Sequence, residues 1–365
     1  MMVKIGSDDI YDKHLVMTKW KSDFESIYNP DSNNALYDND FKLQVTQTLN
    51  QTEYEMLRID YIENDELNYE ISLNEVQYVV NKLKGKKATG IDKLPNEALK
   101  NKDIIKILTD LFKLCFKFNF IPELWLKALI SPIPKGSKTI TCDPMNYRGI
   151  SLLSTVSKVF TGILNNRLVR YCNLLDIIVE EQNGFRKGRS CQEHIFSITT
   201  IIQCRIQEKK SSFAAFIDLE KAFDRVDRIL LLYKLLCYYN VDGKFYHILK
   251  TLYSNHWSCV KINDSYTDWF TVSSGVRQGD ILSPTLFSIF INDLAAKVKS
   301  LNKGIKFGND KISILLYADD MVFLAEKEKD LQDMISAMFD WSNQWRLNVN
   351  IGKTKIIHFR AKRMA

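Results

Sequence analysis

Two adjacent acids interrupt an apolar run. In "LLYADDMVFL" (315–324), Asp319 and Asp320 stand where two short strand-forming segments, 314–318 and 321–325, meet. Asp is a common turn residue in hairpins. The favoured two-residue turns, however, ask for Gly or Asn where the backbone is left-handed. Two carboxylates about 4 Å apart also repel by roughly 1 kcal/mol in water and by about 4 kcal/mol at the effective dielectric near a protein surface. A cation between them reverses that sign. Mg²⁺ takes one or two carboxylates together with substrate phosphates, so this reading calls for a further acid on a distant strand. Asp218 meets it, at the end of the apolar run 213–219 in "SSFAAFIDLEKAFDRV" (211–226). A helix cap is the plainer role, but Asp224 and Asp227 lie closer to the next helix start. A strand ending in Asp218 beside the 314–325 hairpin would bring the acids to one sheet edge. Two divalent ions about 4 Å apart there suit in-line phosphoryl transfer.

The remaining segments supply the elements that must position those acids. "SLNEVQYVVNKLK" (72–84) reads as a capped helix, with Ser72 as N-cap and Glu75 three residues on. Helices are also expected over 104–118, 151–172, 283–301 and 328–345, and from about Asp227. Extended segments are expected over 124–135, cut by Pro132 and Pro134, and over 256–263, 269–276 and 354–360. The stretch 28–41 reads as loop. The pattern is α+β, a small and mostly antiparallel sheet backed by helices.

Bulk composition agrees with a globular chain of two or three domains: 365 residues, 45% hydrophobic and 26% charged. The formal charge of +6 is unevenly placed. Residues 1–75 carry 6 basic and 16 acidic side chains, whereas 76–365 carry 44 and 28, a net of +16. A basic body of that size fits a polyanionic partner. The seven cysteines show no C-x-x-C spacing, which points to a reduced, intracellular protein without zinc; nucleus and cytoplasm are not distinguished. No segment has the length of a membrane span, so no membrane partner is expected.

The motifs also resemble a known family. "FIDLEKAFDRV" (216–226) followed by "YADD" (317–320) is similar to reverse transcriptases of the non-LTR, LINE-type retrotransposon group. Five further segments occur in the family's order: "KGKKATGIDKLPNEALK" (84–100), "ISPIPKGSK…NYRGISLLSTVSKVFTGILNNRL" (130–168), "EQNGFRKGRSCQEHIF" (181–196), "SSGVRQGDILSPTLFSIFIND" (273–293) and "WRLNVNIGKTKIIHF" (345–359). The resemblance covers roughly 82–360. It implies a right-hand polymerase fold, with an acidic N-terminal extension (1–75), a fingers region (76–212) and a palm with a helical insertion (213–365). The primer-grip motif and thumb are expected to follow the last motif, and this chain stops short of them.

The resemblance also assigns roles. Asp218 and Asp319 match the metal-binding pair for two Mg²⁺ ions, with Mn²⁺ as a substitute, and Asp320 is the second acid of the hairpin. Phe223 matches the sugar gate that excludes a 2′-hydroxyl, and Ala222 beside it lets the ring approach the sugar. Gln278 and Gly279 match the nucleotide-site motif, while Arg277 reads equally as surface. Arg186 matches the cation that would clamp the triphosphate, with Lys187, Arg189 and Arg148 as nearby phosphate or template contacts. Lys353 matches a lysine that would protonate the pyrophosphate leaving group, with Lys355 and Arg346 close by in sequence. The implied activity is extension of a DNA primer with deoxynucleoside triphosphates on an RNA template, and protein partners are not indicated.

One departure stands out: Gly149 occupies a position where the family usually has Pro. Other readings remain. One is a non-catalytic nucleic-acid-binding remnant of a mobile element. Another is an RNA-dependent RNA polymerase, against which Phe223 speaks. A third is a group II intron-type polymerase.

Overall fold

The computed structural model describes residues 3–5, 8–30, 34–58, 61, 63–135 and 142–360. Part of the loop expected at 28–41 and the "GSK" of the 130–138 segment lie outside the described residues. The chain is mixed α and β, as the patterning implies, and forms two compact units. One comprises residues 1–32, 46–171 and 223–283, the other 33–45, 172–222 and 284–365.

In the first unit, the strand Lys127–Pro134 pairs antiparallel with Tyr147–Leu152 and parallel with His256–Ile262. His256–Ile262 also takes Phe270–Val272 as an antiparallel neighbour. The parallel pairing ends at Ile130, opposite Val260. Pro132 and Pro134 therefore sit where one side of the strand has no ladder to donate to, the place where a strand tolerates proline.

The helix Lys13–Tyr28 covers this sheet. Val16, Trp20, Phe24 and Ile27 recur at helical spacing and pack with Ile130, Tyr147, Val260, Ile262 and Phe270. Trp20 stacks on Phe24 at 5.7 Å between centroids and meets Tyr147 edge-on at 5.0 Å. The acidic extension 1–75 thus contributes, through the helix Lys13–Tyr28, to the core of the first unit.

That helix also explains Gly149. A Cβ there would lie 2.7 Å from the Phe24 ring and 2.9 Å from Ile130 Cγ2. The aromatic residues of Lys13–Tyr28 fill the space that a larger residue would need.

Helix ends follow the sequence signals. Ser72 and Glu75 form a capping box on Leu73–Lys82. The carboxylate of Asp92, in the "ATGID" motif, accepts from the Thr155 amide at 2.6 Å and from the Ser154 hydroxyl at 2.8 Å. It caps Thr155–Leu174 from 63 residues away in the chain.

In the second unit, four antiparallel strands run in the order Ile314–Tyr317, Asp320–Ala325, Ser212–Ile217, Lys355–Phe359. The strand that leads to Asp218 is therefore interior to its sheet and lies beside the hairpin. Ala214 and Leu324 are paired and pack with Ile201 of the helix Cys191–Gln207. The helix Glu328–Trp345 packs on the same two strands and buries Leu331, Met334, Met338, Trp341 and Trp345. All seven cysteines are free thiols. Among the described residues, no helix is long and apolar enough to cross a membrane.

Candidate active site

The acids converge by register. Met321 pairs with Ile217, so one step further the antiparallel ladder sets Asp320 across from Asp218. Asp218 is held extended as its carbonyl accepts from the Asn350 amide at 2.8 Å, while Leu219 bridges Val349. Its Oδ2 is buried without a hydrogen-bond partner. Lys353 Nζ lies 3.4 Å from that oxygen, on a side chain that is 70% exposed. The carboxyl of Asp320 is pushed up by burial and by the charge of Asp218, with Lys353 opposing.

Asp319 falls in the two-residue turn between Tyr317 and Asp320, and the turn's left-handed residue is Ala318, at φ +55°. The hairpin is therefore present, and it carries Asp319 and Asp320 in succession. The turn uses Ala318, which leaves two successive carboxylates at its end. Gln182 clamps it, with Oε1 accepting from the Ala318 amide at 2.9 Å. A Cβ on Gly184 would come within 2.2 Å of the same amide nitrogen. The "EQNG" motif is thus a brace for the hairpin.

A buried carboxylate oxygen that has no hydrogen bond and lies beside a like charge, with the Lys353 ammonium 3.4 Å away, is an environment that a divalent cation would relieve. The residues fit such an ion, although no ready-made cluster of three or more ligating side chains exists among the described residues.

The residues matched to the nucleotide motif belong to the first unit, apart from Ala222, which is buried in the second. Phe223 is half-buried, and its carbonyl accepts from the Val276 amide at 2.8 Å. Gly275 presses so close that a Cβ would lie 2.6 Å from the Asp224 carbonyl oxygen. Gln278 Nε2 donates to both carboxylate oxygens of Asp224, at 2.9 Å each. Asp224 is buried, and the cap of the following helix Arg228–Tyr233 is Asp227.

Gly279 has φ +112° and an imagined Cβ only 2.7 Å from the Ser151 carbonyl oxygen, so both backbone and space require glycine. The Ser151 amide donates to the Gln278 carbonyl at 2.8 Å. Arg148 is exposed on the same strand, two residues before Ile150, which touches the Gly279 position.

Two cations differ from their sequence reading. Arg277 is not surface. It is 7% exposed and donates to the carbonyls of Trp125 and Leu252. Arg228 lies beside it, bonded to the carbonyls of Tyr253, Val272, Ser274 and Gly275. Burial and these two charges hold His256 well below its usual pKa, hence neutral. Arg186 is turned inward, donating to the carbonyls of Val179 and Gln182 and pairing with Glu180. Arg189 pairs with the same Glu180, whereas Lys187 is exposed. Arg346 bonds Asn39 and stacks over Tyr37, and Lys355 donates to the Gly352 carbonyl.

The family model described as reverse transcriptase (RNA-dependent DNA polymerase) matches residues 133–364. The chain belongs to the reverse transcriptase family. It is similar to a probable RNA-directed DNA polymerase from transposon BS of Drosophila melanogaster, 31% identical over 78% of this chain and 32% of the relative. It is also similar to the RNA-directed DNA polymerase from mobile element jockey of the same organism, 27% identical over 79% and 32%. The Pol polyprotein of the R2 retrotransposable element of Nasonia vitripennis is 28% identical over 68% and 23%. This reverse transcriptase chain spans about a third of the length of the first two relatives. Among solved structures, a telomerase from Candida albicans bound to a telomeric RNA fragment aligns with 72% of this chain and 47% of its own, at TM-score 0.44 and 13% identity. Three residues of this reverse transcriptase sheet and loop set escape sequence reasoning: Asp224, Gln182 and Arg277. For Asp224 a signal existed, since Asp227 already fills the cap position and leaves a second acid unexplained.

Proposed function

We propose that this chain carries the fingers and palm of an RNA-directed DNA polymerase, which joins a primer 3′-hydroxyl to the α-phosphate of a deoxynucleoside triphosphate opposite an RNA template. One observation carries the reading: Asp218 and the Asp319–Asp320 pair meet across adjacent antiparallel strands, with a buried carboxylate oxygen of Asp218 left without a hydrogen bond. Asp218 and Asp319, with Asp320 beside them, would hold two Mg²⁺ ions, or Mn²⁺, in this reading. Such ions supply charge neutralisation for the triphosphate and acidify the attacking hydroxyl.

The chain's own residues do the rest. Phe223 offers a flat ring beneath the sugar, where a 2′-hydroxyl would collide. Gly279 lets the backbone approach the nucleotide. Arg148 and Lys187, both exposed, are the cations left for phosphates, since Arg186 is engaged with its own loop. Lys353, whose ammonium lies 3.4 Å from Asp218 Oδ2, would give a proton to departing pyrophosphate in this reading.

The test is primer extension by the full chain on an RNA template with a DNA primer, in Mg²⁺ and low salt, against Asp319→Ala. Incorporation that disappears in the variant supports the polymerase. A wild-type chain that binds the hybrid without extending it would instead be the non-catalytic, nucleic-acid-binding remnant.

A further inference from the structure

The inner face of the helix Lys102–Phe118 is accounted for by what it packs against. Ile105, Leu108, Phe112, Cys115 and Phe116 are buried, and the Phe112 ring meets Phe160 at 5.3 Å and Trp125 at 5.9 Å between centroids. A surface helix is ordinarily polar on its remaining face. This one carries a second apolar stripe. Ile107, Leu111, Leu114 and Phe118 recur at spacings of four, three and four, which sets them in line. Ile107, Leu114 and Phe118 are each more than half exposed, and Leu111 is half-buried. Scattered apolar residues on a surface need no account, but a run of them in line marks an interface.

We infer that this stripe is the seam along which two copies of the chain pair, helix against helix and antiparallel. The inference is independent of the polymerase reading.

Charge selects the partner. Along one edge of the stripe lie Asp103, Lys106, Asp110, Lys113 and Lys117. Both acids fall in the N-terminal half of the helix, and two of the three lysines fall in the C-terminal half. The exception, Lys106, is answered by Asp103 one turn earlier, at 3.4 Å. Lys113 also reaches the exposed Glu70 at 3.7 Å, a surface pair too weak to withhold it.

A twofold axis makes one patch meet itself, so that residue i touches j and j touches i. With the axis between residues 112 and 113, Ile107 meets Phe118 of the second copy, and Leu111 meets Leu114. The same edge of both helices then runs together, in opposite directions. Each Asp110 falls between Lys113 and Lys117 of the second copy. Nucleic acid suits this edge poorly, because its phosphates would meet Asp103 and Asp110 and leave the apolar stripe without a partner. A helix of 17 residues is about 25 Å long, so the seam is a small one and the dimer is weak, with a Kd on the order of 10 µM.

The experiment is sedimentation equilibrium of the nuclease-treated full chain from about 1 to 200 µM, a range that brackets a weak interface. The mass is expected to rise from one chain to two. Leu114→Glu is expected to weaken the dimer by about tenfold or more. Asp110→Lys by itself, and Lys113→Asp with Lys117→Asp by itself, are each expected to stay monomeric, since each sets like charges along the seam. An equal mixture of the two regains the dimer, because one edge is then basic and the other acidic. Should a charge variant fail to fold, Leu114→Glu, at an exposed position, decides the matter alone.

A wild-type chain that stays monomeric throughout overturns the inference and leaves the stripe to a different protein. A dimer present only before nuclease treatment is bridged by nucleic acid and overturns it as well. A dimer that ignores Leu114→Glu uses another surface, and a mixture of charge variants that stays monomeric rules out the antiparallel seam.

Discussion

Arg167, in the first unit, makes five side-chain hydrogen bonds. It is 2% exposed, grips both oxygens of Glu75 at 2.8 and 3.0 Å, and donates to the carbonyls of Leu67, Tyr69 and Glu70. Arg167→Met would strip a partly buried carboxylate of its ion pair, leaving it the bonds from Ser72 and Tyr69, and would remove the donor to three carbonyls, at a cost of about 3–5 kcal/mol, readable by urea denaturation. Burial raises the pKa of Glu75, but the bonds from Arg167 and Ser72 outweigh it, and the net shift is downward. The Glu75 contribution is therefore complete above the unfolded carboxyl pKa and is lost as pH falls through the lower folded value. The pH profile of stability should flatten in this acid window in Arg167→Met. On the proposal that Phe223 is the sugar gate, Phe223→Val is expected to raise ribonucleotide incorporation relative to deoxynucleotide on the order of tenfold or more, as measured by single-nucleotide extension. Sequence alone found the acids, because charge in an apolar strand is conspicuous. It could not find the burial of Arg277, because nothing local distinguishes a guanidinium that meets carbonyls from one that meets water.

The hairpin of Ile314–Tyr317 and Asp320–Ala325 stores strain at one residue and is clamped at the same place. Ala318 pays for φ +55° with about 1 kcal/mol. Ala318→Gly is expected to recover stability of that order in a thermal melt, while Gln182→Ala, which strips the amide of its acceptor, costs about 1–2 kcal/mol. If the two changes prove independent in a double-variant cycle, the clamp is not acting on the turn. At the sheet of the other unit, Gly149→Ala should cost about 1–3 kcal/mol by crowding Phe24 and Ile130, and Phe24→Leu should return part of it. The hairpin, the capped helix Leu73–Lys82 and the helix Glu328–Trp345 were legible because each carries its own period and end signals. The helix Lys13–Tyr28 was not. Its apolar stripe is only one residue wide and is separated by charged side chains. The parallel pairing of Lys127–Ile130 with Trp257–Val260 joins segments that nothing local ties together.

At the scale of the whole chain, the charge asymmetry sets how binding should respond to salt. If residues 76–365 meet six to ten phosphates of a hybrid, affinity should fall by about 10³–10⁵ between 50 and 200 mM salt. A shallow slope in filter binding would count against a nucleic-acid track on this surface. The overall class, α+β with an antiparallel sheet around the acids, could be read from the run of motifs, whereas the division into two units of interrupted sequence could not, since it depends on contacts between distant segments. The interior position of Ser212–Ile217 has a consequence for how the protein is made. Both of its neighbours arrive much later, one at Asp320–Ala325 and the other at Lys355–Phe359. A ribosome adding about 5–20 residues per second needs roughly 7–30 seconds to deliver the last of them. Until the first neighbour is made, an apolar strand waits with both edges open, and until the second with one, so the segment that leads to Asp218 is also a claim of the nascent chain on a chaperone.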